Sequence, residues 1–309
     1  MGNPFSLSLV KVIVNSSTGI DGALSTGMIT QYKGSNTLYR FTHDNIKEAA
    51  LSLVPQNDNI SFYMGIKLLT LLPAEELDRH IFTVANLLLG ASCISHTDNL
   101  ELVQLFTRAG EESLSITAFD NAFQYFKEGL QLLGANSWDN NYDLTLRLHI
   151  NAAKSAFGMQ NDTMMNEMIN VILVNASSSS HWTEIYSLKI MRLKERRLFK
   201  EAVDAVIFIL NKLGERIDES MYNNSATIAA SIERVKRLLH NKSDEEILEM
   251  KQMEYAIDAI ISIFCHVFVS ELTDLNLYKY ASIRMVELSL IHGLSNHSCV
   301  GKKKNPYLE

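Results

Sequence analysis

Four prolines, Pro4, Pro55, Pro73 and Pro306, are all that this 309-residue chain contains, so residues 74 to 305 run without one. Proline removes a backbone donor and clashes with the preceding turn, so a long stretch lacking it is free to form successive helices joined by short turns. The apolar spacing agrees. Ile81, Val84, Ala85 and Leu88 recur at three and four residues, as do Leu102, Leu105, Phe106 and Ala109, and then Ala122, Phe126, Leu130 and Leu133. Between such runs lie segments rich in Gly, Asn, Asp and Ser: GANSWDNN (134 to 141), GMQND (158 to 162) and NASSSS (175 to 180). The pattern predicts a mainly α fold, and 47% hydrophobic residues suffice for a sizeable core.

An internal repeat is visible. Laying NAFQYFKEGLQLLG (121 to 134) on EAVDAVIFILNKLG (201 to 214), an offset of 80 residues, matches Ala122 with Ala202, Phe126 with Val206, Leu130 with Leu210, Leu133 with Leu213 and Gly134 with Gly214. Both segments read as the second helix of a hairpin that ends in a glycine C-cap. The offset implies two units of about 40 residues, with an intermediate unit near 141 to 176 whose own signature is degraded. Residues 102 to 134 also resemble the tetratricopeptide pattern. There a small residue, Gly110, lets two helices close at Ala122, and an aromatic, Phe126, fills the gap. Ser113 and Gly129 depart from that pattern. Hairpins that cannot bury their apolar faces alone stack into a curved solenoid. Residues 97–300 are therefore expected to form an α-solenoid of tetratricopeptide-like hairpins, preceded by linking helices at 56–96.

Residues 23–55 have another character. Met28 to Tyr32 and Leu38 to Thr42 read as short strands around a turn at Lys33 to Asn36, a β-hairpin. Ile46, Ala49, Ala50, Leu53 and Val54 then take helical spacing before Pro55. His43 and Asp44 fall on the strand-to-helix junction. There the Asp44 carboxylate is expected to cap the helix, and His43 offers a ring nitrogen beyond the strand end. A hairpin followed by a helix is the wing of a winged-helix unit. The unit reads as partial, because the helices that should precede the wing are not legible in residues 1–22, which stay unassigned, as does the tail 301–309.

A net charge of −7 and a pI near 5.7 argue against a nucleic-acid surface, since KERR (194 to 197) and KKK (302 to 304) stand alone. Cys93, Cys265 and Cys299 are far apart and suit a reducing compartment, the cytoplasm. Cys265 beside His266, and His292 near His297, lack the further ligands a metal site needs, so packing roles are expected. No uninterrupted apolar run reaches the length of a membrane span. MGNPFS fits the loose acylation pattern at Gly2 and Ser6, with Pro4 against it. Glu75-Glu76, Glu111-Glu112 and Glu245-Glu246 read as solvated or first-turn charges, because adjacent helical residues diverge by about 100°. Phe119, Phe123, Tyr125 and Phe126 read as hairpin packing.

YRFTHDNIKEAALSLVP (39 to 55) resembles the Phe-x-His-Asp-x-(Ile/Val)-x-x-Ala-Ala segment that ends the ATPase module of large signalling proteins. In these a serine/threonine kinase domain is often followed by an ATPase module, a tetratricopeptide-like region and a sensor histidine kinase. The resemblance continues through residues 72–91, 108–153 and 282–298, covering about residues 23–300. Residues 1–22 and 301–309 fall outside it, which suggests a truncated or imperfect gene model. In the wider class of signal-transduction ATPases, a His-Asp motif at this place touches the β-phosphate of bound ADP. The resemblance therefore gives His43 and Asp44 a nucleotide-sensing role if an ATPase core is present. The alternative reading is that His43 only anchors the wing to its own helix.

No such core is encoded here. GALSTGMI (22 to 29) has the two glycines of a phosphate-binding loop but Met28 and Ile29 where Lys and Ser or Thr should stand. Kinase signatures and histidine-kinase glycine boxes are missing too. The chain is expected to be a non-catalytic regulatory and interaction region with protein partners, among them kinase or ATPase domains, and with no cofactor of its own. The competing expectation is the C-terminal part of an ATP-dependent enzyme whose phosphate-binding loop lies in other sequence or another subunit.

Overall fold

A computed structural model describes residues 5–14, 18–32, 38–53, 58–90, 100–176, 179–240, 242–269, 275–295 and 297. These residues are mainly helical with one small sheet, and the chain divides into two compact units, Met1–Met159 and Gln160–Glu309.

The first unit opens with β1 (Phe5–Ser6), α1 (Leu7–Val14), α2 (Thr18–Ser25), β2 (Ile29–Gln31), β3 (Leu38–Phe41) and α3 (Asp44–Leu53). The sheet is antiparallel in the order β1-β3-β2, with Phe5 opposite Tyr39 and Ile29 opposite Phe41. Ile20, Ile29 and Tyr39 are buried at its centre, and Phe5, Val10, Leu24 and Phe41 pack around them. The two expected strands are present; the turn at Lys33 to Asn36 lies outside the described residues.

Helices do precede the hairpin, contrary to the sequence reading of residues 1–22. The cause is physical. In LSLVKVIV the β-branched Val and Ile crowd together and read as strand, and TGIDGALS carries two helix-weakening glycines. Tertiary packing overrides both. Leu9, Val12 and Ile13 of α1 press on the unit's larger core, and Lys67 Nζ donates to the Ile13 carbonyl at 2.8 Å, satisfying one end group of the helix.

That larger core is built by α4 (Asp58–Leu71), α5 (Ala74–Arg79), α6 (Ile81–Leu88), α7 (Leu100–Ser115) and α8 (Phe119–Leu133), followed by α9 (Ser137–Asn140) and α10 (Tyr142–Gly158). The stretch read as linking helices does more than link. Leu68, Val84 and Leu88 are fully buried in one cluster with Phe106 and Tyr125, at about 1.5–3 kcal/mol per large side chain. Helix α8 packs between α7 and α10.

The second unit contains α11 (Asp162–Asn175), α12 (Ser179–Glu195), α13 (Phe199–Lys212), α14 (Glu219–Tyr222), α15 (Ser225–His240), α16 (Asp244–Leu248), α17 (Tyr255–Cys265), a 3-10 turn (His266–Val269) and α18 (Leu275–His292). Helices α12 and α13 pair, α17 lies against both, and α15 packs along α18. Ile190, Ile209, Leu210, Ile261, Phe264 and Ala281 share its main core.

The segments 80 residues apart share backbone geometry as well as apolar residues. After α7, Thr117 N donates to the Leu114 carbonyl at 3.0 Å and Ala118 N to that of Ser113 at 2.8 Å. After α12, Arg197 N donates to Lys194 and Leu198 N to Leu193, both at 2.9 Å. Each is a Schellman closure, which requires a left-handed residue at its centre. Thr117 has φ 60° and Arg197 φ 59°. Gln160, φ 58°, stands two residues before α11 just as Thr117 and Arg197 stand two before α8 and α13, in the region of the expected intermediate unit. The following helices α8 and α13 end on Gly134 (φ 72°) and Gly214 (φ 92°), the glycine ends the sequence predicts.

Candidate functional site

The His-Asp junction lies where β3 passes into α3, and both side chains are exposed. Thr42 is held to the turn between α2 and β2, its N donating to the Met28 carbonyl at 2.9 Å and its Oγ1 to that of Gly27 at 2.6 Å. The chain then turns helical at once. The His43 carbonyl accepts from Ile46 N at 3.1 Å and Lys47 N at 3.3 Å, so His43 occupies the cap position and Asp44 is the first helical residue. This corrects the expectation that Asp44 is the cap residue; its carboxylate instead sits in the first turn, where the helix dipole favours it.

Of the residues expected to shape the hairpins, Gly110 and Phe126 meet at a close helix crossing. A β-carbon on Gly110 would run into the ring of Phe126, and one on Gly158 into the ring of Phe119. Ala122 and Phe126 are fully buried, and Ala202 is buried in the second unit. Positions 190 and 206, equivalent to Gly110 and Phe126, hold Ile190 and Val206, both buried in one cluster. Phe106 and Phe82 stack on Tyr125 at 6.2 and 6.5 Å, and the Tyr125 hydroxyl donates to Asn86 at 2.8 Å. Glu111 accepts both Nε and Nη2 of Arg147 at 2.6 and 2.7 Å, so one of the expected solvated charges ties α7 to α10. Arg192, and Arg196 of the KERR segment, lie 3.0 and 2.7 Å from the carboxylate oxygens of Asp162.

Gly214 has a second consequence. Its turn, closed by Glu215 N donating to Leu210 at 2.9 Å, delivers the Glu215 carboxylate into a cleft of about 490 Å³ beside α15 and α18. Arg284 donates through Nε and Nη2 to both Glu215 oxygens at 2.6 and 3.1 Å, and through Nη1 to Glu287 at 2.9 Å. Arg234 Nε lies 3.1 Å from the other Glu287 oxygen, and its Nη2 donates to Ser231 Oγ at 2.9 Å. Both carboxylates are buried, and bidentate bonding to Glu215 holds the Arg284 guanidinium still more firmly protonated than usual. Burial, then the Glu215 charge, pushes the Tyr280 hydroxyl up. Met221, Ile283 and Tyr280 give the cleft an apolar side, and Arg216 lines it without an ion-pair partner among the described residues.

Sequence reasoning missed this cleft. Its charges come from positions 215, 216, 234, 284 and 287, and no spacing rule joins them. The available signal was local: Arg284 and Glu287 are the two charged residues, one helical turn apart, inside the otherwise uncharged SIRMVELSL.

The Cys and His residues read for packing stay apart from any such cluster. Burial and Asp258 push the Cys265 thiol up to about 11, away from the reactive thiolate. Burial first, then Lys194 and His297, hold the His266 ring down to about 4, and Lys194 Nζ donates to the His266 carbonyl at 2.8 Å. Among the described residues no three His, Cys, Asp or Glu side chains gather as metal ligands, and no helix is long and apolar enough to cross a membrane.

No family model matches the chain, and no solved structure matches it. A hybrid signal transduction histidine kinase G of Dictyostelium discoideum is 23% identical over 217 residues, 61% of this chain and 6% of that protein. The chain thus spans a small part of the relative's length.

Proposed function

We propose that this chain is a non-catalytic regulatory and protein-interaction region of a signalling protein, with tetratricopeptide-like hairpins as scaffold or relay. The observation that carries the reading is the helix corner repeated 80 residues apart on dissimilar side chains, Thr117 and Arg197. Stacked repeats need a constant corner and tolerate varied surfaces. Similarity to a histidine kinase supports the signalling context. Kinase or ATPase polypeptides are the proposed partners, and the cytoplasm the proposed location.

A second reading rests on the N-terminal sheet. The order β1, α1, α2, β2, β3 with strands paired β1-β3-β2 supports the reading of a partial winged-helix unit, and His43 is exposed at the end of β3. In this reading the chain is the C-terminal part of an ATP-dependent enzyme, and His43 and Asp44 report on nucleotide held elsewhere.

Photo-crosslinking in cells, with a benzophenone amino acid at exposed Phe208, Val174 or His43, separates the two. The first reading expects capture of a kinase or ATPase polypeptide from Phe208 or Val174, and no ATP turnover by the purified chain. Turnover by the chain alone, or no protein captured from the hairpins, overturns it. Capture of an ATPase subunit from His43 alone selects the second.

A further inference from the structure

We infer that the cleft beside α15 and α18 binds a small organic carboxylate, its head on Arg216 and Arg234 and its apolar body against Met221, Ile283 and Tyr280. The volume, about 490 Å³, is that of a small-molecule site, and the lining combines an apolar side with a few placed polar groups. The charges decide the ligand's sign. Three guanidiniums, of Arg216, Arg234 and Arg284, face two carboxylates, Glu215 and Glu287, which leaves one positive charge uncompensated.

The hydrogen bonds decide where that charge is available. Arg284 spends Nε, Nη1 and Nη2 on the two carboxylates and has little left to offer. Glu215 accepts twice from Arg284, and Glu287 is shared between Arg284 and Arg234. Arg234 uses Nε and one Nη2 hydrogen, and its side chain remains half exposed. Arg216 is exposed and keeps all its donors. A guanidinium fork matches a planar carboxylate, and one such anion brings the cleft to neutrality. The buried Arg284 network then acts as a rigid floor, because its members hold one another in place.

The test uses the full chain and 4-fluorobenzoate followed by fluorine NMR, with 4-fluorobenzamide as the neutral isostere and 4-fluorophenyl phosphate as the dianion. Saturable binding of the benzoate is expected at concentrations up to about 10 mM, with the benzamide at least about tenfold weaker. Arg216→Gln and Arg234→Gln should each weaken the benzoate about tenfold or more, the loss of one charge-assisted contact, while Lys236→Gln on the outer face of α15 should not. Arg216 has no partner to lose, so its variant folds as the parent does. No saturable binding, equal binding of benzamide, or benzoate binding unchanged in both arginine variants overturns the inference. Tighter binding of the phosphate overturns the single-charge assignment.

Discussion

Gly110 on α7 faces the ring of Phe126 on α8 with no room for a β-carbon, whereas 80 residues further on the equivalent places hold Ile190 and Val206, both buried. The large and medium side chains have been redistributed across the same kind of crossing. Gly110→Ile alone should overpack the first hairpin and lower stability by about 1–3 kcal/mol, as should Ala122→Leu or Ala202→Leu. Combining Gly110→Ile with Phe126→Val should recover more than half of the first loss. A double-mutant cycle from urea denaturation measures it, and simple additivity would refute the coupling.

The corner residues make an opposite prediction. Thr117 is β-branched yet held at φ 60°, a conformation that costs L-residues about 1–2 kcal/mol and glycine almost nothing. Thr117→Gly should therefore stabilise the chain by about 1 kcal/mol after the extra freedom glycine gains when unfolded, and Arg197→Gly should act in the same direction. Thermal melting of the two variants decides it.

Removing one member of the cleft network should cost more than removing a surface pair. Glu215→Gln leaves the Arg284 guanidinium facing a neutral amide in a largely buried place, and a loss of about 3 kcal/mol is expected. Glu76→Gln, which removes the closer of two carboxylates beside exposed Arg79, should cost about 1 kcal/mol or less. Equal losses would mean that the cleft is open to water.

Acid should destabilise the second unit through His266. Its folded pKa, about 4, lies below the ordinary value of 6.5, so the unfolded chain binds the proton more readily. The stability is complete above pH 6.5 and falls as pH drops from there towards 4, by on the order of 1–3 kcal/mol. Burial lowers His149 as well, and it adds in the same sense from the first unit. His266→Gln should flatten the urea midpoint between pH 7 and pH 4.5 relative to the parent.

Much of the helical part was legible because its signals are local. The proline-free stretch, the three-and-four apolar spacing and the glycines at 134 and 214 each act within a turn or two of the chain. Gly110 and Phe126 were readable as a pair because a repeat spacing links them. Helix α1 was not, since β-branched residues argue for a strand until Leu9, Val12 and Ile13 meet the core. His43 takes the cap position expected of Asp44 because Thr42 is fixed by Gly27, fifteen residues away. The cleft is the extreme case: its charges meet only after α15 has packed on α18.

The redistributed volumes at the two crossings mean that these helix pairs are not interchangeable cassettes. A chimera that grafts α7 onto α13 would set Gly110 opposite Val206 and leave a hole, and the reverse graft would drive Ile190 into Phe126. Exchange of single helices between the two pairs is thereby penalised by shape alone.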